Sequence, residues 1–394
     1  MISAYACEPG VGSEPGAGWA WARAAALAGH EVWLLTRENN RDVLDSTLEA
    51  EPELTITPIY LDLPPRWRRW KRGQRGIRLY YALWQQRARR IIRELHAAER
   101  FDVAHHLTFA VDWLPAAAVG LPGLPAVWGP VGGAGSVPPA LYRWLGARGA
   151  VQEVLREGIV RPLRRVFGDR NARRAELVIA QNDGVAVRFA SASRRVIVEP
   201  NVALEADLSH TSRAERQPGR RTAIFVGRLI PLKGLRLAVA AIGRLPSTWS
   251  LVVVGEGPER RQCQSLARKV APSHRIEFRG HLPRHEVLAA MHEADVLLLP
   301  SMHDSAGWVV GEAAAAGIPT VCLRLGGPAT MVRRSGGAAV PPRPDVVEGL
   351  STAVKQSVGM EIVRGAWTHD RLPGLADSWY RYVTAPSNPG RAAS

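Results

Sequence analysis

Short apolar runs and helical stretches alternate in two successive arrays along this chain. That alternation constrains the fold more than any other feature. In the second half, apolar runs over 222–226, 250–254, 276–279, Val296–Leu299 and Thr320–Leu323 are separated by helical stretches over 235–244, 258–270 and Arg284–Glu293. The first half reads the same way, with strands over 2–7, 31–36, 54–61, 103–105, 126–129 and 177–181 and helices over 19–28 and 77–96. Strands joined through helices pair in parallel, and a parallel sheet needs helices on both faces to bury it. Two such arrays in succession predict an α/β chain of two Rossmann-like domains. The expected division is 1–200, 201–370, and a final helix with its tail over 371–394. A polar, aperiodic stretch over 204–221 marks the edge between the two arrays.

Composition narrows the setting. Three cysteines, Cys7, Cys263 and Cys322, are odd in number and far apart, which disfavours a disulfide framework and favours a reducing cytoplasm. No cationic leader with an apolar core opens the chain, and the very short opening strand reads either as complete or as having lost a few residues. The apolar stretch over 107–145 carries Asp112 and many prolines, so it does not read as a membrane span. The net charge of +15 is uneven: between Arg66 and Arg93 stand eleven Lys/Arg and no acid, interleaved with Trp67, Trp70, Tyr80, Tyr81 and Trp84. This segment reads either as an ordinary surface helix with solvated arginines or as a contact for anionic lipid or an anionic acceptor. Within it, Ile77, Tyr81, Trp84, Ala88, Ile91 and Leu95 form one helical stripe.

Chemistry is expected beyond the carboxyl ends of the strands, where helix N-termini collect anions. Gly10-Val-Gly12-Ser13-Glu14-Pro-Gly16-Ala-Gly18 follows the first strand and reads as either a tight turn or an anion site. It is not G-x-G-x-x-G, and no glycine loop ends in G-K-[ST], which disfavours a dinucleotide dehydrogenase or a P-loop enzyme. Gly227-Arg228 and Lys233-Gly234 place two cations in one strand-end loop, a fork and a point charge suited to phosphate oxygens. In Ser301–Pro319 the acids Asp304 and Glu312 stand around Gly307-Trp308. On one reading they are an N-cap and an exposed helix acid. On the other, each grips a different hydroxyl-bearing part of one long ligand. No His/Cys/Asp spacing suggests a metal site, and none is expected.

Taken in order, Gly227-Arg228-x4-Lys233-Gly234, Val254-Gly255-x-Gly257-Pro258, Phe278-Arg279-Gly280, Pro300-Ser301, Asp304-x7-Glu312-Ala313, Ala316-Gly317-x-Pro319 and Gly326-Gly327 resemble the C-terminal half of retaining GT-B glycosyltransferases of family 4, the group 1 glycosyltransferases. Gly12-Ser13-Glu14, Gly29-His30-Glu31-Val32, Phe101-Asp102-Val103-x-His105 and Pro200-Asn201 fit the N-terminal half. The resemblance implies a GT-B fold with a cleft between the domains and a last helix crossing back. It implies transfer of a sugar from a UDP- or GDP-sugar, with no resident cofactor and no metal.

By the same resemblance, Arg228 and Lys233 clamp the diphosphate, beside Gly227. Glu312 takes the ribose, Asp304 the sugar hydroxyls, and the amides of Ser305, Ala306 and Gly307 complete the cradle. The main chain at His281-Leu282 reads the base, while Gly12 and Ser13 approach from the first domain. The family's usual first acid is Glu, in Glu-Gly-Phe-Gly; Asp304-Ser-Ala-Gly307 matches instead a branch with His-Asp-Ser-x-Gly-Trp. Many members carry His-x-His after the fourth strand. Here His105-His106-Leu107 leaves both histidines as candidates. The acceptor is open, lipid-linked, polysaccharide or secondary metabolite, and the expected place is the cytoplasm, including the inner face of the cell membrane. Other readings are a GT-B-like phosphorylase or epimerase, and a basic protein that docks on membrane or nucleic acid without transferase activity. On the transferase reading no nucleic-acid partner is expected.

Overall fold

A computed structural model describes residues 1–64, 76–133, 135–205 and 219–385 of the 394-residue chain. The basic, Trp-rich approach at 66–75 and most of the polar stretch at 204–221 lie outside the described residues. The strands of the first half are β1 (Ile2–Ser3), β2 (Val32–Thr36), β3 (Ile56–Tyr60), β4 (Ala104–His106), β5 (Ala126–Val131), β6 (Leu177–Ala180) and β7 (Val196–Val198). Those of the second are β8 (Arg221–Val226), β9 (Trp249–Val254), β10 (Ile276–Gly280), β11 (Val296–Leu299), β12 (Thr320–Leu323) and β13 (Gly337–Val340). They form two parallel sheets, ordered β3-β2-β1-β4-β5-β6-β7 and β10-β9-β8-β11-β12-β13.

The orders locate the candidate crevices before any side chain is considered. Each sheet reverses direction once, between β1 and β4 in the first and between β8 and β11 in the second. Crevices open at such reversals because the helices leaving adjacent strands depart to opposite faces. The loops after these four strands hold Gly10–Ser13, Leu107–Val111, Gly227–Lys233 and Pro300–Gly307. The strands behind them are core: every residue of β11 is at most 1% exposed, as a central parallel strand covered on both faces requires.

Five helices matter for the site: α1 (Ser13–Leu27), α2 (Ile77–Glu99), α3 (Tyr142–Leu163), α4 (Trp308–Ala315) and α5 (Leu372–Thr384). α1 starts earlier than the expected 19–28, and the opening strand is shorter than the expected 2–7. The glycine tract is therefore largely the first turns of a helix folded against its own loop. A Cβ on Gly16 would sit 1.7 Å from the Val11 carbonyl oxygen, and one on Gly18 would sit 2.1 Å from that of Ala6. These two glycines serve close packing. α2 buries Tyr80, Tyr81, Trp84, Ala88 and Ile92, and Ile91 and Leu95 pack half-buried against the same core. Its Arg89 is not solvated but donates to the carbonyls of Ala117, Val119 and Gly120. α3, which the periodicity did not announce, contains Pro162 and continues through a wide turn over Arg164–Gly168. α5 lies on the first domain, where Trp379 stacks on Trp21 of α1 with centroids 4.6 Å apart, and Leu372 and Ala376 join the same core.

Candidate active site

The two reversal points face each other across a cleft of about 590 Å³. From the first domain come Ser13 and Glu14 at the start of α1, with Ala110, Val111, Gly132 and Gln181. From the second come Gly227, Arg228, Lys233, His303, Asp304, Ser305, Ala306, Gly307 and Glu312. The loop after β8 makes a short turn at Pro231–Lys233 and exits through Gly234 at φ 74°. A Cβ there would stand 2.0 Å from the Pro300 carbonyl oxygen. Glycine is thus required on both steric and conformational grounds, and it brings Lys233 against the loop after β11. Lys233 Nζ donates to Asp304 Oδ2 at 2.5 Å, with both side chains largely covered.

The Asp304 loop is held from both domains. Gly327 N–H donates to the Asp304 carbonyl at 2.9 Å. Across the cleft, Asn182 Nδ2 donates to the Ser305 carbonyl at 3.0 Å, and Gly133 N–H to Ser305 Oγ at 3.3 Å. Gly307, at φ 77°, turns the chain into α4, whose first amides have no partner within the helix and point at the cleft end. Glu312 sits on α4 with its carboxylate 3.6 Å from Arg284 Nε. Burial pushes its pKa up and Arg284 opposes the shift. Glu14 is half-buried and accepts from Phe109 N–H at 2.6 Å; burial raises its pKa, against the pull of that hydrogen bond.

Several residues singled out in the sequence are not brought to this cleft. Gly12 lines a neighbouring cavity of about 500 Å³ with Trp19, Arg284 and Trp308. His281 is exposed and Leu282 half-buried, outside the residues lining either space. His105 and His106 are each 1% exposed and point into the first domain. His105 Nε2 lies 2.7 Å from the Gly129 carbonyl, to which it must donate, so Nδ1 accepts from the Tyr380 hydroxyl at 2.8 Å. His106 Nε2 pairs with the Tyr81 hydroxyl at 3.0 Å. The histidine that does line the cleft is His303, beside Asp304 and under Gly135, where a Cβ would stand 3.0 Å from its ring. Its signal was present in the His-Asp-Ser-x-Gly-Trp run, one place before the acid that drew attention.

All three imidazoles are held neutral by burial. His105 is pushed down to about 4, His106 to about 3, and His303 to about 4 with Arg156 adding to the shift. The unfolded chain therefore binds more protons than the folded one as pH falls from about 6.5 toward these values, and stability is lost over that window. The apparent melting temperature should fall between pH 7 and pH 5, each histidine contributing roughly 2 kcal/mol at pH 5. Thermal unfolding at stepped pH checks this: the slope should diminish in His303→Asn, and a flat wild-type profile would contradict it.

Among the described residues no group of three or more His, Cys, Asp or Glu side chains is placed to hold a metal ion, and no helix is long and apolar enough to cross a membrane.

Residues 210–361 match the family described as glycosyl transferases group 1. Similar curated proteins include glycogen synthase from Mycobacterium tuberculosis, 39% identical over 147 residues, covering 36% of this chain and 35% of that protein. Another is 2-deoxystreptamine glucosyltransferase from Streptomyces kanamyceticus, 33% identical over 156 residues, covering 36% of this chain and 40% of that one. The chain thus spans little more than a third of the length of these relatives. Among solved structures, sucrose-phosphate synthase from Thermosynechococcus elongatus shares the fold over 98% of this chain and 99% of its own, with a TM-score of 0.62 at 17% identity.

Proposed function

We propose, for a chain whose residues 210–361 match the glycosyl transferases group 1 family, that it moves a sugar from a UDP- or GDP-sugar to an acceptor with retention of anomeric configuration. The observation that carries this reading is the Lys233–Asp304 contact at the sheet's reversal point, with Arg228 beside it and the N-terminus of α4 behind it. One long ligand with anionic and hydroxyl-rich parts accounts for Arg228, Lys233, Asp304 and Glu312 together. Arg228 and Lys233 hold the diphosphate and stabilise the charge that builds on it as the anomeric C–O bond breaks. Asp304 and the amides of Ser305–Gly307 orient the sugar, and Glu312 accepts from the ribose hydroxyls. The acceptor oxygen forms the new bond on the face the phosphate leaves, and its proton passes to a phosphate oxygen. No side chain need act as nucleophile. The contacts of Asn182 and Gly133 with Ser305 join the two domains across this part of the cleft, and such closure would limit hydrolysis by water.

The curated relatives bear unlike names, a glycogen synthase and a 2-deoxystreptamine glucosyltransferase, and the acceptor of this chain is left open in this reading. A cytoplasmic place, including the inner face of the membrane, belongs to this reading. The experiment is thermal unfolding against UDP, GDP, dTDP and their glucose derivatives, followed by turnover with the stabilising donor. A ligand at a hundred times its Kd stabilises by about 2.7 kcal/mol, and one base should stand out. If no nucleotide or nucleotide-sugar raises the melting temperature, the reading fails.

A further inference from the structure

The helix α3 turns apolar side chains away from the protein. Val151, Leu155 and Ile159 recur at four-residue spacing and are 60%, 62% and 60% exposed. Val154 beside them is 58% exposed, and Val166, past the end of the helix, 57%. The opposite face carries the buried Glu153, Val160 and Arg164. A surface helix ordinarily directs its apolar stripe inward. Here the helix is anchored by a polar and ionic face, Glu153 with Arg156 and Arg164 with Asp112, and shows the apolar stripe to solvent. A contiguous exposed stripe of this kind marks a docking surface.

Charge indicates what docks. Arg148, Arg161 and Arg165 are exposed along the stripe, with Arg170 and Arg173 beyond it. The acids of the same stretch are turned inward and engaged: Glu153 and Glu157 by Arg156, Asp169 by Arg188. An apolar strip with a cationic margin and no exposed acid complements an anionic bilayer, in which side chains enter the acyl boundary and guanidinium groups meet phosphates. A second copy docking face to face would set these arginines against one another with no acid opposite. Nucleic acid would leave the apolar strip in water.

We propose that the outer face of α3 and the turn after it, residues 148–166, seats the protein on an anionic lipid surface. These residues are distinct in sequence from the basic segment at 66–93, and the proposal does not depend on the transferase reading. Its position has a consequence for that reading. The inner side of α3 reaches the cleft wall through Arg156, which donates to the Gly135 carbonyl at 2.9 Å, and Gly135 stands over the ring of the cleft residue His303. A seated protein would therefore hold its cleft about one helix diameter, some 10 Å, from the lipid, within reach of a lipid-linked acceptor.

The full chain should co-sediment with vesicles of phosphatidylcholine plus phosphatidylglycerol and not with phosphatidylcholine alone. Leu155→Asp/Ile159→Asp should lower the bound fraction at least tenfold. Because both side chains are solvent-exposed, the variant should keep the melting temperature of the wild type, which shows that the loss is not unfolding. The proposal is overturned if the wild type ignores both vesicles, if it binds both equally, or if the variant binds as well as the wild type. It is also overturned if the wild type is dimeric in solution and the variant monomeric, which would assign the face to a second copy. None of these readouts involves a nucleotide, so failure here leaves the transferase reading standing, and the converse holds.

Discussion

Lys233→Ala should lower turnover by roughly 10²–10³-fold and erase stabilisation by nucleoside diphosphate, while Asp304→Asn should lose transfer and keep nucleotide binding at least as tight. The asymmetry follows from the resting site, where the two side chains are each other's partner at 2.5 Å. A diphosphate entering the cleft must draw Lys233 from Asp304. Without the lysine, phosphate loses its nearest point charge, and Asp304 is left partly buried and repelling the incoming anion. With asparagine at 304 the shape is kept and one negative charge disappears, so the lysine meets phosphate with no competitor. The sugar, however, loses its charged acceptor. Titration with UDP or GDP by calorimetry, alongside donor turnover, separates the two. Equal loss of nucleotide affinity in both variants would refute the assignment of Lys233 to phosphate and Asp304 to sugar.

Glu199→Ala should destabilise the folded chain by about 3 kcal/mol, chiefly the cost of leaving the largely buried Arg371 without its counter-charge. Glu199 closes the first domain immediately after β7 and is 4% exposed. Its carboxylate accepts from Arg334 of the second domain at 3.0 and 3.2 Å and from Arg371 ahead of α5. Arg371 also donates to the Val202 carbonyl, and its own pKa is lowered by burial against the pull of Glu199. Both guanidinium groups lie over the Trp367 ring, 4.7 and 5.3 Å from its centroid, and that ring is 1% exposed. One carboxylate therefore ties together the outgoing linker, the second domain and the returning helix. Arg334→Ala, which removes the more exposed partner, should cost much less. Denaturant unfolding of both variants measures the difference, and similar small losses would show that the node is well solvated.

The arrangement of strands could be read from local pattern because a buried parallel strand is apolar on both faces. Val296–Leu299 and Thr320–Leu323 needed no neighbours to be recognised. Strand-end cations were legible for a similar reason: Arg228 and Lys233 stand beside glycines, of which Gly234 is needed for close approach to Pro300. The helix starts were not. Glycine and proline at 15–18 look like a loop in one dimension, and only the contacts of Gly16 and Gly18 with Val11 and Ala6 show a helix packed on its own turn. Likewise, period alone did not reveal α3, since its outer apolar residues and its inner charged ones invert the usual pattern.

Sequence was least informative about which side chain reaches which space. His105 and His106 occupy a strand end that faces the cleft in order of elements, yet both rings turn inward to Gly129, Tyr380 and Tyr81. His303, from the other domain, stands in the cleft instead. Residue chemistry and short spacing set the two-domain α/β plan and the cation and acid loops, since those depend on residues close in the chain. The Lys233–Asp304 contact joins residues 71 apart, and the Glu199–Arg371 tie joins residues 172 apart. Such contacts depend on sheet register, on the rotation of each ring and on how one domain meets the other, and none of these is a property of a local stretch.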